Sequence, residues 1–392
     1  MAGGSVSYLA DSLAPDRVLF KDLGQEYLLA RALVDEVDPY VPMRDLAARY
    51  LEPLGYLDKT FPTPHPPSAG LLFLPALALQ YAALVRVWFG LELVFLVLGI
   101  AWSAWAVGWP LPPRMAPVVA FALLAWFPVV IDLGLGQVTL ALLAGLAGAQ
   151  LALLRRRAWL GGAALGLTLL LKPLAWPWLL ALVWHRAGRA LAVCLAVVLA
   201  GIAICALRLG PGALADYATR VLPEVSALYA AEPTNISLWT VGPRLFERAD
   251  AARVVGAAPP MLVLLLSLAW LRGTSSVCHA LGVLTCVSIL VNPISWGYYL
   301  VLAVLPGAQV LAWLRERGYP RVPLALAGMV GVGLYLGGGD WRALASLVGF
   351  EPLANLVTLG PGLSVGALGV LLGWMARQPG VGGTRWARSS AT

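Results

Sequence analysis

Nine long apolar stretches dominate this chain, near residues 83–107, 115–133, 137–154, 190–207, 257–272, 276–291, 294–314, 322–337 and 353–376. A bilayer offers no water to satisfy backbone N–H and C=O groups, so such stretches become helices whose hydrogen bonds close within the segment. Only 12% of the residues are charged, about half the share in a soluble domain. The expectation is an all-α polytopic membrane protein with about nine full spans. A net charge of +7 would suggest a nucleic-acid partner in a soluble protein. Here the basic residues punctuate apolar runs, so they report topology, and no nucleic acid is expected.

The segment 158–184 departs from the pattern. Lys172-Pro173 lies at its centre, Arg155-Arg156-Arg157 precedes it, and His185-Arg186-Ala187-Gly188-Arg189 follows. A single crossing would put the two basic flanks on opposite sides. A re-entrant pair of half-helices meeting at Pro173 keeps both on one side. With that hairpin, Arg114, Arg155 to Arg157, Arg186, Arg189, Arg272, Arg315, Arg317, Arg321, Arg377, Arg385 and Arg388 all fall in the cytoplasm. Ten of the twenty acids fall in residues 1–67, on the opposite side.

Three regions follow: an outer N-terminal segment 1–82, a multi-span domain 83–376, and a cytoplasmic tail 377–392. Nine crossings ending in the cytoplasm place residues 1–82 outside, yet no apolar helix leads them across. The charge pattern therefore predicts a first transmembrane helix upstream of Asp22. The outer face collects residues 20–67, the Asp132–Gln137 turn, the 208–256 loop, the Asn292–Trp296 turn and a loop at 338–352 carrying Asp340, Trp341 and Arg342.

Within Phe20-Lys21-Asp22-Leu23-Gly24-Gln25-Glu26-Tyr27, Asp22 has two compatible readings. It precedes a helical run from Leu23 to Val37 and suits an N-cap, or it is an acid at the membrane surface able to act as a base. Glu26, one turn on, shares its face; standing alone it reads as a solvated carboxylate. Lys172 lies deep in an apolar run, where a cation costs roughly 3 kcal/mol. It needs an anion, either an internal partner or a lipid phosphate. Glu92 invites a structural pairing with Arg86. The sequon Asn235-Ile236-Ser237 is too short a pattern to argue glycosylation, and Gly162 and Gly166 have ordinary helix-packing spacing.

Cys194, Cys205, Cys278 and Cys286 sit inside apolar runs with no zinc or disulfide pattern. His65, His185 and His279 lie far apart in sequence, so no metal site is expected. With no P-loop, GxGxxG, HExxH or Ser-His-Asp arrangement, no cofactor is expected either. An outward-facing enzyme of this kind would draw its activated group from a lipid carrier.

Taken in order, these segments resemble those of the bacterial polyprenyl-phosphate-mannose-dependent mannosyltransferases, glycosyltransferase family 87 of the GT-C superfamily. Asp22 to Tyr27 resembles the family's Asp-Phe-x-x-Tyr-Tyr segment, Asp38-Pro39-Tyr40 its Asn/Asp-Pro-Tyr, and Pro64 to Pro67 its Tyr/His-Pro-Pro element. Gly136-Gln137-Val138 resembles its Gly-Gln-Val/Asn turn, and Leu171-Lys172-Pro173 its Lys-x-x-Pro region. Asn235 and Ser237 with Arg244 resemble its Asn-Gln-Ser…Arg stretch, and Pro293-Ile294-Ser295-Trp296 its Ser-Pro-x-Ser-Trp turn. Glu26-Tyr27 replaces Tyr-Tyr, and Gly297-Tyr298-Tyr299 stands where relatives often carry histidine.

The resemblance implies a GT-C-type fold with an outer cavity roofed by loops. It implies inverting transfer of a hexose, mannose in this family, from a polyprenyl-phosphate donor to a hydroxyl of a glycolipid or glycan. Asp22 would be the base. Glu26, Tyr27, Tyr40, His65, Gln137, Lys172, Asn235, Ser237, Arg244, Trp296 and Tyr298 would bind donor or acceptor, with Lys172 and Arg244 balancing the phosphate and Tyr298 standing in for histidine. The enzyme would lie in the bacterial inner membrane among its lipids, its site on the extracytoplasmic face. Two rivals remain: another lipid-linked-sugar transferase of the superfamily, and a non-enzymatic lipid or sugar transporter, which would show broken helices in corresponding halves.

Overall fold

Proline and glycine decide where the apolar stretches break. The computed structural model describes residues 2–14, 17, 21–51, 59–109, 112–246, 249–274, 276–347 and 357–378. The helices are, in order, α1 (Ala2–Ser12), α2 (Gly24–Asp35), α3 (Met43–Tyr50), α4 (Pro67–Phe73), α5 (Tyr81–Ala106), α6 (Ala116–Leu124) and α7 (Phe127–Leu135). There follow α8 (Thr139–Leu154), α9 (Ala158–Leu171), α10 (Trp178–Trp184), α11 (Gly188–Leu209), α12 (Pro211–Asp216), α13 (Leu222–Leu228) and α14 (Val241–Leu245). The last are α15 (Ala249–Leu271), α16 (Val277–Val291), α17 (Val304–Glu316), α18 (Arg321–Ser346) and α19 (Gly360–Met375).

Each of the nine apolar stretches contains helix, and the helices differ in length. Among the described residues three helices are long and apolar enough to cross a membrane: Tyr81–Ala106, Gly188–Leu209 and Gly297–Glu316, the last including a 3-10 turn before α17. The stretch near 115–133 is bent by 72° between α6 and α7. Trp126 is extended there as the N-cap of α7, whose first turn carries Pro128, a residue tolerated at a helix start because its missing N–H would have no partner there. Most remaining apolar helices have 10–17 residues, so each is shorter than the ~20 residues a straight crossing needs. The loop expected at 338–352 is corrected, since α18 continues to Ser346. Residues 348–356 and the tail from 379 lie outside the described residues, as do Arg385 and Arg388.

Close approaches between helices fix their directions. Trp88 of α5 donates to the Gln137 carbonyl ahead of α8 (3.2 Å), and Gly99 lies against Leu143, so α5 and α8 are parallel. Gly145 against Thr168 and Gly161 against Leu153 make α8 and α9 antiparallel. Gly162 faces Ala190, Gly166 faces Cys194 and Leu170 faces Gly201, so α9 and α11 run parallel. The first of these contacts demands glycine: a Cβ at 162 would stand 2.2 Å from the Ala190 carbonyl oxygen. Parallel neighbours joined in sequence require residues 172–187 to run back to the end where α9 began. On that return Trp178 donates to Thr285 of α16 (3.1 Å). In the other half α16 and α19 are antiparallel, with Leu290 near Gly366 and Leu372 near Gly282.

Tracing these directions sorts the polar residues by end. Arg155 to Arg157, Arg186, Arg189, Arg272, Arg315, Arg317, Arg321 and Arg377 gather at one end, where the Arg315 guanidinium covers Trp109 at 5.3 Å. The opposite end holds residues 21–51 and 59–80, Gln137, Lys172, 210–246 and the Asn292–Trp296 turn. Ahead of these, α1 packs on α7, with Tyr8 seated at Gly134. The excursion through 158–184 thus keeps both of its basic flanks at one end. Single cysteines replacing Arg157 and Arg189, in a background without the four native ones, should behave alike. Both should resist an impermeant thiol reagent in intact cells, and labelling at one position alone would contradict the parallel register.

Candidate active site

Asp22 is placed by a backbone clasp. Its N–H donates to the Leu135 carbonyl (2.8 Å), which seats residues 21–23 over the turn that ends α7. That turn needs Gly136, whose φ of +65° closes the helix while Gln137 N–H returns to the Asp132 carbonyl (2.9 Å). Lys21 is buried beside Asp22 and donates to the Gly134 carbonyl. The capping reading of Asp22 is corrected here. Leu23, not Asp22, is the residue before α2; it is helical itself, and no side chain caps the helix.

The Asp22 carboxylate instead enters a chain of charged contacts. Oδ1 accepts from Lys59 Nζ at 2.7 Å, and Oδ2 accepts from Gln137 Nε2 at 2.7 Å. Gln137 Oε1 in turn accepts from Lys172 Nζ at 3.2 Å. An ammonium can only donate and a carboxylate only accept, so the two partners fix which way the amide points. Burial alone would raise the Asp22 pKa. Lys59 and Gln137, with Lys172 behind, outweigh it and hold the carboxyl below its ordinary range.

Lys172 reaches this chain because α9 stops. Proline at 173 disfavours helical backbone at the residue before it, and Lys172 is extended (φ −149°, ψ 123°). Its ammonium lies 5.1 Å from the centre of the Tyr299 ring. A small cavity opens beside it, lined by His65, Lys172, Tyr217, Pro293, Trp296 and Tyr299 among others.

Glu26 and His65 form the second polar pair. Glu26 Oε1 lies 2.7 Å from His65 Nδ1, and both side chains are buried. Glu26 is therefore not the solvated carboxylate that its isolated position suggested. Burial and the Lys172 charge depress the His65 pKa more than Glu26 and Asp22 raise it, which favours the neutral imidazole. Tyr40 stands one layer behind, where its hydroxyl donates to the His65 carbonyl (3.2 Å) and its ring stacks on Tyr217. Tyr27 points elsewhere, packing on Tyr81 and accepting from Arg31 Nη2 at 2.8 Å.

Asn235, Ser237 and Arg244 belong to a separate web. Asn235 Nδ2 donates to the Tyr229 and Pro293 carbonyls, and its Oδ1 accepts from the N–H groups of Ser237 and Ser295. Ser237 Oγ donates to the Leu290 carbonyl, while Arg244 donates to the carbonyls of Glu232 and Asn235 and to the Thr358 hydroxyl. Burial lowers the Arg244 pKa to about 10. The web clamps the 229–245 loop onto the Asn292–Trp296 turn. From that turn Trp296 lines the cavity and stacks toward Tyr298, with ring centres 6.5 Å apart. Asn235 is wholly buried, which closes the sequon to glycosylation.

Glu92 does not pair with Arg86: it is fully buried, neither oxygen has a hydrogen-bond partner among the described residues, and Arg86 is exposed. Sequence reasoning missed Lys59 altogether. A signal existed, because the chain has only three lysines, and Lys21, Lys59 and Lys172 all converge here. Among the described residues no group of three or more His, Cys, Asp and Glu is placed to hold a metal.

The arrangement is an ionised carboxylate between two ammonium groups, at the end of the helical bundle opposite the cluster of Arg155 to Arg157, Arg186, Arg189, Arg272, Arg315, Arg317, Arg321 and Arg377. It can accept a proton and offset a nearby anionic group. The chain matches the family model for glycosyltransferase family 87 over residues 63–337. His65, Gln137, Lys172, Asn235 and Trp296 lie within the match, and Asp22, Glu26 and Lys59 precede it. No curated protein and no solved structure matches the chain. With well over half its length covered, this chain belongs to glycosyltransferase family 87 and is a membrane glycosyltransferase.

Proposed function

We propose that this enzyme transfers a hexose, mannose, from a polyprenyl-phosphate donor to a hydroxyl of a glycolipid or glycan on the extracytoplasmic face of the bacterial inner membrane. The observation that carries the reading is the Asp22 carboxylate, held ionised between Lys59 and the Gln137–Lys172 pair at the bundle end opposite the cluster of ten arginines named above. Positive-inside orientation would turn the arginine end toward the cytoplasm and Asp22 outward.

Asp22 takes the proton of the acceptor hydroxyl as that oxygen attacks the sugar C1. The C1–O bond to the phosphate breaks, its electron pair goes to the departing phosphate oxygen, and attack from the opposite face inverts C1. Lys172 lines the cavity and stabilises the charge that develops on the phosphate. His65, held by Glu26 and Tyr40, stands on the same wall and binds donor oxygens as a neutral hydrogen-bonding group. Trp296 offers an aromatic face to the sugar, and Tyr298 backs it. Asn235, Ser237 and Arg244 shape the cavity by clamping its roof, which leaves phosphate binding to the lysines.

Asp22→Asn keeps the size and much of the hydrogen bonding but removes the base. Transfer from labelled polyprenyl-phosphate-mannose to extracted glycolipids should fall ~10²–10⁴-fold with the protein still inserted. Near-normal turnover would refute the assignment.

The low Asp22 pKa gives a second expectation. A carboxylate stabilised in the folded protein keeps its base form until pH falls through that lowered value. The acid limb of kcat/KM should thus lie below the ordinary aspartate value of 3.8. A limb near neutral pH would identify a different base.

A further inference from the structure

Resting on the reading of Asp22 as base, we propose that Lys59 is a phosphate-binding residue of the transfer reaction: it guards Asp22 in the empty enzyme and moves onto the donor phosphate when acceptor binds. Three observations lead there.

The first is occupancy. Oδ1 of Asp22 is taken by Lys59 and Oδ2 by Gln137. A proton must arrive on one of these oxygens during transfer, and an ammonium 2.7 Å away opposes that. The Gln137 contact is the fixed one, because Gln137 is buried and held from behind by Lys172. Lys59 approaches from the open side with a third of its side chain exposed, so it is the partner an acceptor hydroxyl displaces.

Charge flow is the second. As the proton reaches Asp22, that carboxylate becomes neutral. As the C1–O bond breaks, the phosphate passes from a singly charged diester to a monoester bearing a second negative charge. One unit of negative charge has moved from base to leaving group. A cation that stayed on Asp22 would favour the reactants, whereas one that follows the charge stabilises the transition state.

The third is residue choice. Twenty-four of the 27 basic residues are arginine, yet the cations around Asp22 are lysines. A guanidinium fork locks into a carboxylate, whereas an ammonium on a flexible stem is a point charge that can change partners. The Lys59 backbone stays anchored meanwhile, since its carbonyl accepts from Arg44 N–H at the start of α3 (3.1 Å).

The test compares Lys59→Gln, Lys59→Arg and Asp22→Asn in purified membranes, with polyprenyl-phosphate-mannose as donor and polyprenyl phosphate as product inhibitor. Losing a charge-assisted contact to the phosphate should lower kcat/KM on the order of 10–100-fold in Lys59→Gln. Inhibition by polyprenyl phosphate should weaken by a similar factor, and Lys59→Arg should recover much of that binding. Unchanged product inhibition in Lys59→Gln would overturn the proposal, and so would a faster enzyme with unchanged inhibition, which would make Lys59 only a restraint on the base. These outcomes are separable from failure of the base itself: an active Asp22→Asn refutes the base, whereas an inactive one beside a Lys59→Gln variant with normal product inhibition refutes Lys59 alone.

Discussion

The Lys59–Asp22–Gln137–Lys172 chain is the interaction on which the site depends. It joins four segments far apart in sequence, and each member needs the others. A carboxylate withdrawn from water is tolerated only when paired and hydrogen-bonded. Lys172 likewise could not remain charged at the break after α9 without an acceptor. Gln137 couples the two because its amide accepts from one and donates to the other. Removing the amide would strand both charges, so Gln137 is as much a part of the acid–base unit as Asp22.

The helical bundle makes such a unit possible by ending its helices where polar groups are needed. Proline at 173 stops α9 and turns Lys172 inward, and glycine at 136 closes α7 so that Gln137 meets Asp22. The 72° bend between α6 and α7 and the return through α10 belong to the same pattern. Broken helices free backbone groups, and in a membrane these are tolerated only where protein or a polar cavity satisfies them. The breaks at Lys172 and Gly136 fall at the same end, beside the cavity. A second layer then holds the cavity's shape, as Asn235 and Arg244 tie loop to turn through buried hydrogen bonds.

Several residues that a motif reading groups together do different work in three dimensions. His65 lines the cavity, Tyr40 supports His65 from behind, Asp22 reaches the cavity-lining Lys172 through Gln137, and Tyr27 packs away on Tyr81. Asn235 and Arg244 share a motif with Ser237, and the structure spends their polar groups on internal partners. The reason is local: the loop from 229 to 245 leaves buried carbonyls without helix or sheet partners, and those groups must be satisfied by side chains.

Sequence alone determined that the chain is helical and membrane-embedded, because apolar runs of this length admit no other way to satisfy the backbone. It also set the charge asymmetry, the break at Lys172-Pro173 and the order of motifs that points to the family, since these depend on local residue chemistry. It did not determine helix lengths, because an apolar run looks alike whether it is one helix or two at an angle. Tertiary structure alone decided that Asp22 meets Lys59 and Gln137 instead of capping α2, that Glu26 is buried against His65, and that Glu92 does not reach Arg86. The first two of those outcomes turn on which segments meet across dozens of residues of chain, and the third on which face of its helix the bundle buries. Spacing along a sequence carries no such information, because a charge finds its partner through the packing of the elements that bear it.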